Sequence, residues 1–471
     1  MMTALSHAKP RAAAALVSVL GLVLAMSITA AAQHSMRSML TADNSVKKYL
    51  DIGTAAGATG SRAGKTVDEL VRLAIAGNAE LEAMRREAAA GEALVRQARL
   101  RANPSLEVRG EREIGGMGDN TFMVEGGVPL ELGGRRQART RVAERELEIR
   151  RQAAAERERQ IAAEVRTKFG EALAAIYKLM FVEEILTANV QHLNLTAEQV
   201  AEGRKAPLEQ NIETVEVNRI RALRETGESA VEQRMLELRN VIGLAPEEPL
   251  RLAGSFDDLV ARPFAVAQAE ALERALRTRP DLAGARAVEE LAAARRAQAR
   301  AEGRVDADVM LGWQRMKSGF PQMGMDEATG LLVPIESRSQ FFTFGVKLNL
   351  PVFNRNQGMV AAAKLEEDAA RSRREFGELT IRREVASAYA RYDRALRAAE
   401  IYRVGVREQA AANLDVIRQT YEIGEKSLLD YIAEHHRFID TEMGYIDAQL
   451  EAYLARVEIM RAANLPELTN K

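Results

Sequence analysis

Two ten-residue segments set charges of both signs around a glycine: Val200-Ala201-Glu202-Gly203-Arg204-Lys205-Ala206-Pro207-Leu208-Glu209 and Tyr421-Glu422-Ile423-Gly424-Glu425-Lys426-Ser427-Leu428-Leu429-Asp430. Their chemistry is electrostatic, not covalent. Gly203 and Gly424 suit the left-handed residue that ends a helix, and Pro207 suits the first turn of the next. Ser427 and Asp430 have the spacing of a capping box. Each segment therefore predicts a tight turn between two helices, with acids and lysines at its tip. Other reactive groups are sparse. Of the five histidines, His435 and His436 adjoin, but helix neighbours point apart, so a packed His435 is expected rather than a metal pair. Met316, Met323 and Met325 offer soft ligands in a stretch that otherwise reads as a loop. Gly115-Gly116-Met117-Gly118 reads as a hairpin turn, because no strand-to-helix switch follows it closely, as a phosphate loop requires. Without cysteine, disulfides, thiolate metal sites and a Cys nucleophile are excluded. No catalytic residue, cofactor or resident metal is assigned, and no acid pair or metal triad supports an enzyme.

The elements that carry these turns come from a unit written twice. Asn78-Ala79-Glu80-Leu81 matches Arg279-Pro280-Asp281-Leu282, an offset of 279 − 78 = 201. Pro207-Leu208-Glu209 matches Leu428-Leu429-Asp430, an offset of 428 − 207 = 221. The growth in offset places an insertion in the second copy, around Met316–Arg338, read as a loop. Each copy reads helix, strand, loop, strand, long helix, tight turn, helix. Phe342, Phe344, Val346, Leu348, Leu350 and Val352 alternate with polar residues, as do Val305, Ala307, Val309, Leu311 and Trp313, and Phe122, Val124, Val128, Leu130 and Leu132. That is the strand period, with one apolar and one polar face. Leu106 and Val108 give a weaker fourth strand.

The helices follow another period. Leu428, Ile432, His435, Ile439, Met443, Ile446, Leu450, Tyr453, Val457 and Met460 step by four and three, a heptad seam. Val385, Tyr389, Tyr392, Leu396 and Ala399 do the same. Gly134 to Val200 would span roughly 100 Å at the helical rise, and Gly133-Gly134 is the expected hinge from pleat to helix. Arg135, Arg136, Arg139 and Arg141 crowd that helix start against its dipole, so they are expected to reach lipid headgroups or a neighbouring subunit.

Composition sets the class. With 66 basic and 67 acidic residues there is no electrostatic case for nucleic acid. Ala, Glu, Arg and Leu dominate, as in long helices. Lys9 and Arg11 precede an apolar run to Ile28, and Ala30, Ala31 and Ala32 fit a cleavage site, which predicts an exported chain. Four strands with an apolar face do not close on themselves. In hydrocarbon an open edge leaves backbone groups unpaired, and the smallest membrane barrels need about 8 strands. Either the strands pack on a soluble core, or several chains pool them around a pore lined by the polar faces.

The duplicated unit, Val128-Pro129-Leu130-Glu131-Leu132-Gly133-Gly134-Arg135-Arg136, the two tip turns and the final Asn464-Leu465-Pro466 resemble the TolC-type outer membrane factors. The Val128–Arg136 turn is most similar to their heavy-metal-efflux branch. The resemblance implies a mainly α fold with a small β part. It implies a homotrimer in which four strands per chain build a twelve-stranded outer-membrane β-barrel on a periplasmic α-helical barrel. It also implies a periplasmic adaptor and an inner-membrane pump as partners. The function expected is a passive conduit of a tripartite efflux system, with heavy-metal cations as the cargo that the branch implies. The alternatives are a drug-efflux or type I secretion conduit and a periplasmic coiled-coil scaffold.

By the same resemblance Asp430 lines the periplasmic entrance, where acids repeated around an axis favour cations. Asp430 as a helix cap stays open beside that, and the two are compatible. A second family acid falls on Ala433, which implies a less acidic constriction. Links that close the family's entrance fall on Tyr421, Lys426 and Glu209, and the adaptor-contact turns on Gly203 and Gly424. The expected division is a signal peptide at 1–32, a flexible segment at 33–65, a first repeat at 66–250 and a linker at 251–265. A second repeat at 266–466 and a tail at 467–471 complete it. Strands are expected at about 104–112, 121–132, 304–313 and 340–352.

Overall fold

The computed structural model describes residues 48–50, 64–114, 119–260 and 264–469. The expected signal peptide, most of the lead-in segment and the Gly115–Gly118 turn lie outside them. The order is α1 (Val67–Gly77), α2 (Ala79–Arg99), β1 (Ser105–Arg112), β2 (Asn120–Pro129), α3 (Arg135–Ala201), α4 (Pro207–Ile242) and α5 (Phe256–Val260). Then come α6 (Gln268–Thr278), α7 (Pro280–Glu302), β3 (Asp306–Met325), β4 (Leu332–Asn349), α8 (Gln357–Glu400), a π-helical stretch (Ile401–Arg407), α9 (Glu408–Glu422), α10 (Leu428–Ala463) and α11 (Pro466–Thr469). Among the described residues, no helix is long and apolar enough to cross a membrane.

The strands form one antiparallel sheet in the order β1-β2-β3-β4. Register puts the alternation in rows: Val108, Val124, Trp313 and Phe342 share one, and Leu106, Gly126, Leu311 and Phe344 the next. Phe342 and Phe344 are 82% and 87% exposed, so nothing among the described residues covers this part of the apolar face. Among the described residues, β1 and β4 pair on one side only.

The second hairpin corrects the loop expected at Met316–Arg338. β3 runs on to Met325 and β4 begins at Leu332, with Met316 opposite Ser339 and Met325 opposite Leu332, through an irregularity between Gly319 and Met323. Backbone pairing needs no alternation of side chains where both faces meet water, so the residue pattern hid it. Met323 and Met325 are exposed strand residues.

The strand-to-helix junctions use positive φ. Gly133 and Gly134 have φ of 72° and 83°, and Asn356 does the same job at 59°. Two of the four arginines beyond the first junction, Arg135 and Arg139, turn inward instead of outward. Arg135 donates to the carbonyls of Glu302 and Arg304, and Arg139 to those of Ala98 and Leu100. Both therefore satisfy orphan carbonyls at the C-termini of α7 and α2, where the helix dipole favours a cation.

The chain divides into two compact units. One holds the described residues up to Thr66, Ala175–Glu232 and Pro249–Gly254; the other holds Val67–Ala174, Gln233–Glu248 and the chain from Ser255 onward. In the first, α3 and α4 pack as an antiparallel pair around Leu179, Val182, Val217, Ile220 and Val231, all buried. The lead-in is not featureless throughout. Leu252 N–H donates to Tyr49, and Lys65 exchanges bonds with Arg251 and Ala253, so Tyr49 and Lys65 pair with residues 251–253.

In the second unit, α2 pairs with α3 through Arg99–Glu144, Arg151–Glu92 and Arg157–Glu80. The repeat places Arg296–Glu367 and Arg374–Glu289 between α7 and α8. The exposed pairs among these, Arg99–Glu144 and Arg151–Glu92, contribute under about 1 kcal/mol each. The core does the holding: Ile161, Phe169, Leu173, Tyr453 and Val457 are all but fully buried. The observed seam of α8 is Ile381, Val385, Ala388, Tyr392, Ala395 and Ala399. It keeps the expected period but uses Ala388 and Ala395 in place of Tyr389 and Leu396. The expected tail begins as a helical turn with Leu468 buried, since Arg166 donates to the Leu468 carbonyl at 2.9 Å.

Candidate functional site

The two tip turns have the same backbone. Gly203 has φ 73° and Gly424 φ 82°. Gly203 N–H donates to Val200 O and Gly424 N–H to Tyr421 O, both at 2.9 Å. Arg204 donates to Gln199 O at 2.8 Å and Glu425 to Thr420 O at 2.9 Å, with Lys205 and Lys426 sharing the same acceptors. Each helix thus ends by turning its last free carbonyls onto the left-handed loop. A β-carbon at either glycine would meet open space, so backbone conformation alone asks for glycine there.

The turns differ in how the next helix starts. At the second, Ser427 Oγ accepts from Asp430 N–H and Asp430 Oδ2 accepts from Ser427 N–H and from its hydroxyl. The Ser427 hydroxyl, then its N–H, hold the Asp430 carboxyl below its ordinary value, with Lys426 adding a favourable charge. At the first, Ala206 has no side chain to cap with, and Pro207 supplies the preset φ instead. Lys205 Nζ lies 3.6 Å from Glu209 Oε2. Lys426 and Asp430 hold the matching positions of the second repeat, but there the carboxylate is taken up by Ser427.

Behind each turn lies a polar or aromatic contact that the sequence pattern did not suggest. In the first unit Glu213 is buried; it accepts from Thr196 Oγ1 at 3.0 Å and lies 3.2 Å from His192 Nδ1. The clue is its slot in the seam with Val217 and Ile220. In the second unit Tyr421 stacks on Tyr431 at 5.8 Å, and Tyr431 on His435 at 6.0 Å. His435 is buried in the seam as expected. The clue to Tyr431 is its place one helical turn before His435. Further along, the π-helical stretch is pinned to α10: Arg407 donates to buried Glu442 at 2.6 Å and lies over the Tyr445 ring, while Tyr402 fills the space over Gly444.

The polar face of the sheet carries Glu107 opposite Glu125, with Arg109 bonded to Glu107 at 2.6 Å, and Asp308 opposite Lys347. Among the described residues no group of three or more His, Cys, Asp or Glu is placed to hold a metal ion.

A family model described as outer membrane efflux protein matches residues 70–244 and 271–465, one stretch for each repeat. The cobalt-zinc-cadmium resistance protein CzcC of Cupriavidus metallidurans is 23% identical over 396 residues, covering 84% of this chain and 89% of that protein. The crystal structure of CusC superposes with a TM-score of 0.69 at 17% identity, covering 87% of this chain and 95% of the other. A membrane protein from Pseudomonas aeruginosa superposes with a TM-score of 0.68 at 21% identity, covering 84% and 92%.

Proposed function

The chain belongs to the outer membrane efflux protein family, and from that membership we propose that three copies form a passive outer-membrane conduit for an inner-membrane pump, carrying heavy-metal cations. The observation that supports it most is that, among the described residues, the sheet has four strands, two open edges and an uncovered apolar face. Hydrocarbon tolerates no open edge, so identical copies must close the barrel. Family membership removes the soluble scaffold, and the chain is read as a channel with no catalytic role. A metal cargo is supported by the similarity to a cobalt-zinc-cadmium resistance protein.

In this proposal the helices of each copy continue the pore into the periplasm and end at the two turns. Asp430 forms a threefold acid ring at the entrance. Lys426 and Glu209 link neighbouring turns, with Tyr421 behind them, and Gly203 and Gly424 shape the surfaces that an adaptor protein meets. The test is a strain deleted for this chain, challenged with cobalt, zinc and cadmium ions. Lost tolerance restored by the full-length gene supports the proposal. Unchanged tolerance to all three, with sensitivity to drugs instead, would replace metal by drug as the cargo.

A further inference from the structure

We propose that a basic row level with the end of the first hairpin, on the apolar face, binds the phosphate groups of an outer-leaflet lipid. Arg112, Asn120, Lys317 and Arg338 form one row across all four strands, and Arg315 lies in the row below, beside Phe122. All share the face that carries Val108, Val124, Trp313 and Phe342. Lys317 stands directly opposite Arg338, a like-charge pairing that is unfavourable unless an anion lies between. Glu336 supplies part of it, 2.6 Å from Lys317 and 3.7 Å from Arg338. Four cations still face one carboxylate, and the Arg338 side chain is 65% exposed.

Continuity with the apolar face decides the occupant. Phe122 packs edge-on against Trp313 at 6.2 Å, and the Trp313 indole N–H donates to Gln340, an interfacial arrangement of aromatic body and polar tip. Lys317 is four residues beyond Trp313, roughly 13 Å along the strand. Acyl chains lying on Phe122, Trp313 and Phe342 would bring headgroup phosphates to the cations. Arginine and lysine bind phosphate through charge-assisted hydrogen bonds. In the outer-membrane barrel proposed above, on which this inference rests, the end of the sheet away from the helices faces the outer leaflet, so the ligand is a phosphorylated, multiply acylated glycolipid of the lipid A class.

The full-length protein in mild detergent is titrated with lipid A, with its dephosphorylated form and with inorganic phosphate, and retention is read by native mass spectrometry. Lipid A should bind about tenfold or more tightly than the dephosphorylated lipid. The triple variant Arg112→Gln, Lys317→Gln, Arg338→Gln should lose that difference and keep its oligomeric mass. A control with Arg86, Arg221 and Lys364 changed to Gln in the helices should keep it. Equal binding of the two lipids, equal loss in the control, or competition by millimolar inorganic phosphate alone would each overturn the proposal.

Discussion

Ser427 and Asp430 cap each other: the serine hydroxyl lies 2.8 Å from Asp430 Oδ2, and each backbone N–H donates to the other's side chain. The cap restrains a carboxylate that is otherwise solvent-facing, so structural and electrostatic roles fall on one residue. Asp430→Ala removes both and Ser427→Ala only the cap. In planar bilayers, Asp430→Ala should lower the cation-over-anion permeability ratio, and Ser427→Ala should leave it near wild type. Equal ratios in all three would leave Asp430 as a cap alone. The carboxyl is held below its ordinary 3.8. Its charge is therefore fully present well above that value and is lost only as pH falls through the lowered one, so the ratio at pH 5 should match that at pH 7.

The link proposed between neighbouring turns is weak by construction. An exposed Lys426–Glu209 pair contributes under about 1 kcal/mol, and Glu209 already has Lys205 at 3.6 Å. Three such links per assembly would hold a resting entrance yet yield to an adaptor. Lys426→Glu should raise sensitivity to bulky antibiotics in cells lacking a working pump. Adding Glu209→Lys should restore resistance. A wild-type sensitivity profile for Lys426→Glu would remove the link.

How much of this was written in the residue pattern differs by element. The long helix expected from Gly134 to Val200 is found at Arg135–Ala201, because a proline-free run bounded by glycines leaves little choice. The tip turns were legible for the same reason: glycine at a helix end and proline or serine at the next start are backbone requirements. The second hairpin was not, since Met316–Arg338 holds together by backbone bonds that leave no side-chain period. The α8 seam was half legible. Ala388 and Ala395 fill slots where a search for large apolar residues selects Tyr389 and Leu396. The π-helical stretch carries no pattern of its own; it shows only in how Tyr402 and Arg407 reach α10.

Tyr431 is placed to keep the second turn from fraying. It stacks between Tyr421 on α9 and His435 on its own helix, and no residue of α9 is itself buried. Aromatic pairs are worth about 0.5–1.5 kcal/mol beyond their burial. Tyr431→Ala should therefore speed amide hydrogen exchange across Gln419–Ile432 by about two- to tenfold, with exchange around Val457 unchanged. Uniform protection across both regions would mean that the stack does not hold the turn.

Gly170 decides how closely α3 and α10 approach in the second unit. A β-carbon there would lie 2.5 Å from Tyr453 Cδ1 and 2.6 Å from Cε1. Tyr453 has no room to retreat, being fully buried and edge-on to Phe256 at 6.4 Å. Gly170→Ala must therefore shift a helix or force a strained rotamer, which costs about 1–3 kcal/mol. The midpoint of urea unfolding of the detergent-solubilised protein should fall accordingly. Adding Tyr453→Leu should recover part of the loss, since the smaller side chain makes space for the methyl group. The two changes are thus expected to be non-additive, as residues in contact are. A Gly170→Ala protein as stable as wild type would mean that α3 and α10 are not locked here, and that the body behind the turns is softer than its packing implies.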